Sequence, residues 1–182
     1  MSRPLVVILG GTRSGKSRFG RVRATALAGD GPVTYVATAL RGDAELEARI
    51  ALHQADRPAS WDTVEPGHDL PSAIRDIAAG TTILLDGLTL WLSQLVEGVE
   101  DPILLVDGPV EGLRAALGAH DGPAVVVSDE ISLGLVPMDP LSRAFRDLLG
   151  IAHQRLVADS DEAWFMVAGR AIRLEPSPES VP

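Results

Sequence analysis

The sequence has no cysteine and no asparagine, and a single lysine, Lys16, stands among its 16 basic residues. Without cysteine there is no disulfide framework and no thiolate metal site, a composition compatible with a reducing cytoplasm. Basic residues are the minority sign: 16 Lys and Arg against 25 Asp and Glu give a net charge of −9. The field of such a molecule repels polyanions, which argues against general nucleic-acid or acidic-membrane binding while leaving room for a small anion at a local site. Long apolar runs are missing as well. Leu5–Leu9 is too short for a signal-peptide core, and no stretch reaches the length of a membrane-spanning helix, so a soluble, cytoplasmic protein is expected. Aromatic residues make up only 4%, but 46% hydrophobic and 23% charged residues are an ordinary globular balance. In a chain that takes nearly all its positive charge from arginine, the lone Lys16 marks a place that needs a compact ammonium.

What is present alternates between short apolar runs and amphipathic stretches. Leu5–Leu9, Val33–Ala37, Thr82–Leu85, Ala124–Val127 and Trp164–Val167 are continuous and rich in β-branched residues, as strands buried on both faces are. Helices are predicted over 16–28, 43–55, 69–79, 87–97, 109–119 and 139–159, the last opening with Asp139-Pro140 as cap and first-turn proline. Phe145, Leu148, Leu149, Ala152 and Leu156 make one apolar stripe along it. Ala171–Leu174 follows Gly169-Arg170 closely enough to be the return strand of a hairpin. The expectation is an α/β fold: one domain over 1–174 with a mostly parallel sheet flanked by helices, an antiparallel edge hairpin near the C-terminus, and a flexible tail over 175–182.

Directly after the first strand comes Gly10-Gly11-Thr12-Arg13-Ser14-Gly15-Lys16-Ser17, running into a helix. This fits G-x-x-x-x-G-K-[ST] in the strand–loop–helix setting that gives the motif its meaning, and predicts a P-loop NTPase-like fold. Glycines let the backbone N–H groups wrap around phosphate oxygens, and the helix N-terminus adds positive potential. Lys16 reaches the outer phosphates, and the Ser17 hydroxyl can ligate Mg²⁺. Such a site also needs an acidic residue at the end of a neighbouring strand, and Thr82-Ile83-Leu84-Leu85-Asp86 supplies Asp86. The competing role for Asp86 is to cap the helix that begins at Gly87.

Several further stretches, in the same order along nearly the whole chain, resemble the bifunctional adenosylcobinamide kinase/adenosylcobinamide-phosphate guanylyltransferase family of cobalamin biosynthesis. They are Tyr35-Val36-Ala37-Thr38-Ala39, Ala48-Arg49-Ile50-Ala51-Leu52-His53 with Arg57-Pro58 and Trp61, Leu84-Leu85-Asp86-Gly87-Leu88-Thr89-Leu90-Trp91, Val127-Ser128-Asp129-Glu130 with Gly134-Leu135-Val136-Pro137, and Phe145-Arg146-Asp147-Leu148 leading to Gln154-Arg155-Leu156. The resemblance implies phosphorylation of the aminopropanol hydroxyl of adenosylcobinamide, then transfer of GMP from GTP to that phosphate through a covalent histidine–GMP intermediate. ATP and GTP are the implied nucleotide substrates, Mg²⁺ the metal, a corrinoid the acceptor and a homo-oligomer the assembly.

The family's nucleophilic histidine falls on His53, and a neutral imidazole is nucleophilic near pH 7. On residues alone the structural reading of His53 comes first: it lies near the end of the helix predicted over 43–55, in phase with Leu46, Ile50 and Arg57, and serves the helix C-terminal dipole. Arg13 and Arg49 are candidates for phosphate contacts or ordinary surface arginines. Glu65 resembles a family acidic position near the nucleotide and is otherwise a loop acid, while Glu130 is a candidate for ordering substrate or metal. His68 and His120 lie in turn-like contexts and read as solvated loop residues. The chain departs from the family at Asp129 and His153, where Asn is usual, and at Ser132, where Gly is usual. A carboxylate at position 129 facing phosphate would disfavour anion binding. Two other readings stay open: a P-loop kinase without guanylyl transfer, and a GTP-binding switch without chemistry.

Overall fold

A computed structural model of the protein describes residues 3–38 and 58–176. The predicted helix over 43–55, with Arg49 and His53 in it, lies outside the described residues, as does the tail beyond residue 176. The strands are β1 (Leu5–Gly10), β2 (Val33–Ala37), β3 (Asp62–Val64), β4 (Thr82–Asp86), β5 (Ala124–Asp129), β6 (Glu162–Val167) and β7 (Arg170–Leu174). They form one seven-stranded sheet in the order β3-β2-β4-β5-β1-β6-β7. Every pairing is parallel except β6 with β7, which is the expected antiparallel edge hairpin.

The helices are α1 (Lys16–Ala28), α2 (Leu70–Arg75), α3 (Leu88–Leu95), α4 (Glu111–Ala119) and α5 (Pro140–Asp159). Alternation along the strands divides the core into two layers. Val6, Ile8, Leu84, Val125 and Val127 turn toward α1, whose Ala24 is fully buried and whose Phe19 packs edge-on against Trp164. Val7, Leu9, Ile83, Leu85 and Val126 turn to the other face, where α2 to α5 bring Leu70, Ile74, Trp91, Leu113, Leu148 and Leu156. Each fully buried large side chain contributes roughly 1.5–3 kcal/mol of transfer free energy. The apolar stripe predicted for α5 is the face it buries, with His153 added to it.

The differences from sequence expectation are local. β3 was not predicted, because it is three residues long with two of them exposed and shows no alternation to read. α2 covers 70–75 rather than 69–79, since the chain tightens after Arg75 with Ile77 N–H donating to Ile74 O at 3.3 Å. Asp69 caps it through Ser72 N–H. The helix expected from 109 begins as α-helix only at Glu111. Before it, a π-helical turn over Val106–Val110 accommodates Pro109, which cannot donate to a regular ladder. α3 spans 88–95 within the predicted 87–97.

Candidate nucleotide site

The chain leaves β1 for β2, β3, β4 and β5 on one side and for β6 on the other, so the direction of winding reverses at the finishing end of β1. Ligands of open parallel sheets bind in the crevice at such a switch point. The phosphate loop sits there, joining β1 to α1, and two neighbours brace it. Glu130 N–H, just past β5, donates to Gly10 O at 3.0 Å, and Gly169 N–H, in the turn of the β6–β7 hairpin, donates to Ser14 O at 3.0 Å. Gly10 has no room for a larger residue: a Cβ there would lie 2.6 Å from Met166 O. Gly15 has φ +95°, a conformation that suits glycine, and Arg13 takes φ +57° with its side chain exposed.

Three features aim this loop at an anion. Gly15 caps α1 without a side-chain acceptor and its first turn has no acidic residue, so the leading N–H groups of a 13-residue helix face the crevice with their dipole uncompensated. Ser14 Oγ is buried without a hydrogen-bond partner among the described residues, which costs about 1–3 kcal/mol unless a ligand supplies one. Lys16 Nζ, on the first turn of the helix, donates to Gly11 O at 3.3 Å and pairs with the Asp129 carboxylate. Thr12 is exposed and Gly11 half-buried beside it, at the open side of the loop.

Asp86, at the end of β4, accepts from Ser17 Oγ at 3.1 Å on one oxygen and from Tyr35 OH at 2.8 Å on the other. Its carboxylate thus turns to the phosphate loop and does not cap α3, whose N-cap is Gly87 with no side-chain bond. Ser17 and Asp86 fit Mg²⁺: both are hard oxygen donors, already neighbours, placed where a nucleotide's outer phosphates would complete the shell with water. Among the described residues no group of three or more His, Cys, Asp or Glu forms a cage, so a metal here depends on the nucleotide's oxygens.

The family described as "Cobinamide kinase / cobinamide phosphate guanyltransferase" matches residues 6–174, a span that takes in both the phosphate loop and the closing hairpin. The chain belongs to this family. It is 43% identical over 173 residues to the "Bifunctional adenosylcobalamin biosynthesis protein CobP" of Pseudomonas aeruginosa, covering 94% of this chain and 98% of that one. It is 36% identical over 184 residues to the "Bifunctional adenosylcobalamin biosynthesis protein CobU" of Salmonella typhimurium, covering 94% and 99%. Among solved structures, the flagellar accessory protein FlaH from Methanocaldococcus jannaschii has the same fold, aligning with TM-score 0.52, 14% identity and coverage of 94% of this chain and 78% of that one. A solved ATPase domain aligns equally well, with TM-score 0.53, 14% identity and coverage of 90% and 69%.

The three positions at which the resemblance implies a departure converge in space, although they span 25 positions of the chain. Asp129, Ser132 and His153 meet around the end of β5, in a network that sequence reading does not reveal. His153 is buried; its Nε2 lies 2.7 Å from the fully buried Ser128 Oγ, which lies 2.9 Å from Thr89 Oγ1. Thr89 Oγ1 accepts the Asp129 N–H at 2.9 Å, closing the end of β5 beyond the last pairing with β4. His153 Nδ1 faces the Glu130 carboxylate at 3.4 Å. Burial pushes the imidazole below its ordinary pKa, against the opposing pull of Glu130 and Asp129. Burial alone would raise Glu130, but the Ser132 hydroxyl and N–H, with His153, hold it below the usual carboxylate range. Glu130 is therefore a fixed, ionised acceptor beside the loop, and Ser132 is what holds it.

The remaining predicted residues are spread out. Glu65 is exposed just past the finishing end of β3, with β2, β4 and β5 between that strand and β1. His68 is exposed, as expected, and its carbonyl accepts from Trp91 Nε1 at 2.9 Å. His120 is not a solvated loop residue: it is buried, with Nε2 2.7 Å from Thr81 O, because the turn after α4 folds it back under the start of β4.

Proposed function

We propose that this chain is a bifunctional enzyme of cobalamin biosynthesis that phosphorylates adenosylcobinamide and then transfers GMP from GTP to the resulting phosphate. The observation that carries the reading is a phosphate loop with its lysine, uncapped helix and Ser17–Asp86 pair at the switch point, in a chain that matches the family over residues 6–174. The relatives from Pseudomonas aeruginosa and Salmonella typhimurium are named bifunctional and matched almost end to end, which supports both activities rather than one.

In the first step the loop N–H groups around Gly10 to Ser17 and the Lys16 ammonium hold the phosphates of ATP or GTP and offset the charge of the transferring phosphoryl group. Ser17 and Asp86 would hold Mg²⁺, which when bound neutralises charge on the outer phosphates. In the second step an imidazole nitrogen of His53 attacks the α-phosphorus of GTP, pyrophosphate leaves, and the substrate's phosphate then takes GMP from the histidine. Arg13 and Arg49 are assigned to phosphate oxygens and Glu65 to the nucleoside.

We place the enzyme in the cytoplasm, where nucleoside triphosphates are supplied, and infer a homo-oligomer. Support for the oligomer comes from the segment after β5, where Leu133, Leu135, Val136 and Met138 are 77%, 97%, 68% and 95% exposed. Arg146 holds Ser132 O and Leu135 O, and Arg143 holds Pro137 O and Met138 O, so these side chains are presented on a fixed backbone.

Labelled GTP tests the reading. With Mg²⁺, label at the α-phosphate should become covalently attached to protein in an acid-labile, base-stable form, and γ-label should pass to adenosylcobinamide. His53→Ala should lose the adduct and GMP transfer but keep phosphorylation. Absence of α-label on wild-type protein would leave a kinase alone, and transfer of neither label would leave a binding protein.

A further inference from the structure

The lysine of the phosphate loop has partners within its own chain. Its side chain is 12% exposed and lies against the Asp129 carboxylate, itself 30% exposed, while Gly11 O takes another of its three hydrogens. Asp129 is held in place for this. It stands opposite Gly10 at the end of the β1–β5 ladder, and Thr89 Oγ1, anchored on Ser128, fixes its N–H. Glu130 N–H, one residue on, ties the same backbone to Gly10 O. The carboxylate therefore faces Lys16 from a backbone pinned on both sides.

A second carboxylate, Asp86, borders the loop on its other flank through Ser17. Among the described residues Asp86 and Asp129 thus flank the Lys16 ammonium with two carboxylates, and the backbone N–H groups and helix dipole add positive potential between them. A triphosphate arriving without a metal must take Lys16 from Asp129 and leave that carboxylate facing phosphate oxygens, a like-charge contact strengthened by partial burial. A triphosphate arriving with a divalent cation would bring the compensating charge with it.

We propose that Asp129 is the counterion of the phosphate-loop lysine and a selectivity residue of the nucleotide site, holding Lys16 until a metal-bound nucleotide replaces it and rejecting the metal-free one. This rests on the nucleotide reading above. A neutral amide here would have the shape of aspartate but make no ion pair, so the carboxylate separates metal-bound from metal-free nucleotide more sharply.

Because Lys16 is the only lysine, protein grown with ¹⁵N,¹³C-lysine gives one side-chain ammonium signal. In wild-type protein without nucleotide that signal should be shifted and protected from solvent exchange. In Asp129→Asn it should move toward the position of free lysine, and addition of Mg²⁺ and GTP to wild type should move it again. In parallel, the ratio of GTP dissociation constants measured in EDTA and in Mg²⁺ should fall at least tenfold in Asp129→Asn, because metal-free GTP binds the variant more tightly. Asp129→Ser, which removes the charge with a smaller side chain, should behave the same way. An identical Lys16 signal in wild type and variants, or metal-free GTP bound no more tightly by either variant, overturns the proposal. Wild-type protein that shows the ion pair but binds no Mg²⁺–GTP overturns the nucleotide reading and the selectivity with it, and the intact lysine signal identifies that case.

Discussion

The two ends of the sheet use charge in opposite ways. At the end where the strands begin, acidic and basic groups answer one another within the chain. Arg114 donates to both oxygens of Asp159 at 2.7 and 2.8 Å and to Glu111 at 2.7 Å, Arg155 reaches Glu111 and Asp107, and His120 is tied to Thr81 O. At the end where the strands finish, the arrangement stays open. Ser14 Oγ has no partner among the described residues, α1 starts without a cap, and Lys16 is paired with a carboxylate that a stronger anion can replace. The first arrangement is what folding favours, since each group gains its partner when the chain folds. The second is less stable than it would be if closed and is explained by a ligand that completes it.

The largest effect that sharpens this contrast is expected at Asp86. Asp86→Asn keeps the shape and the possibility of bonding Ser17 and Tyr35 but removes the charge, so Mg²⁺-dependent turnover should fall by roughly 100-fold with little change in melting temperature. An unchanged Mg²⁺ titration would make Asp86 a structural partner of Tyr35 and bring the two ends of the sheet closer in character.

A smaller and opposite effect is expected at the other end. Arg114→Ala removes three hydrogen bonds to carboxylates, two of them on a partner that is 39% exposed. Solvent screening limits the loss to about 1 kcal/mol, or a melting temperature lower by roughly 2–4 °C. GTP binding should not change, and a matching loss of affinity would break the separation.

His153 gives the smallest effect. Its folded pKa lies below the ordinary 6.5 because the ring is buried, with Glu130 and Asp129 pulling the other way. The unfolded chain therefore takes up a proton first, and the stability associated with the neutral ring is present above pH 6.5 and lost as pH falls toward the folded value. Denaturant midpoints between about pH 7 and pH 5 should drop in wild type and drop less in His153→Asn.

Much of the fold was legible because its strands are continuous β-branched runs and the phosphate loop has fixed spacing. Leu5–Leu9, Thr82–Leu85 and Ala124–Val127 read as buried parallel strands, and they are the centre of the sheet. The order of the strands was not legible. Nothing in the sequence says that β5 inserts between β1 and β4, and that insertion is what carries Asp129 to Lys16. Thr89, Ser128 and His153 were missed as a unit because they lie 39 and 25 positions apart and connect only through packing of α3 and α5 on β5. His120 was misread because a turn-like neighbourhood describes the backbone and not where the ring goes. Trp61, flagged only through the resemblance, packs against the core on the α1 side.

The most direct test of the contrast is a calorimetric titration of Mg²⁺–GTP into wild-type protein, Lys16→Ala and Arg114→Ala, with melting temperatures measured on the same samples. Saturable binding is expected in wild type, a loss of roughly 100-fold or more in Lys16→Ala with its melting temperature nearly kept, and wild-type affinity in Arg114→Ala with a lower melting temperature. Wild-type affinity in Lys16→Ala, or loss of binding in Arg114→Ala, would contradict that contrast.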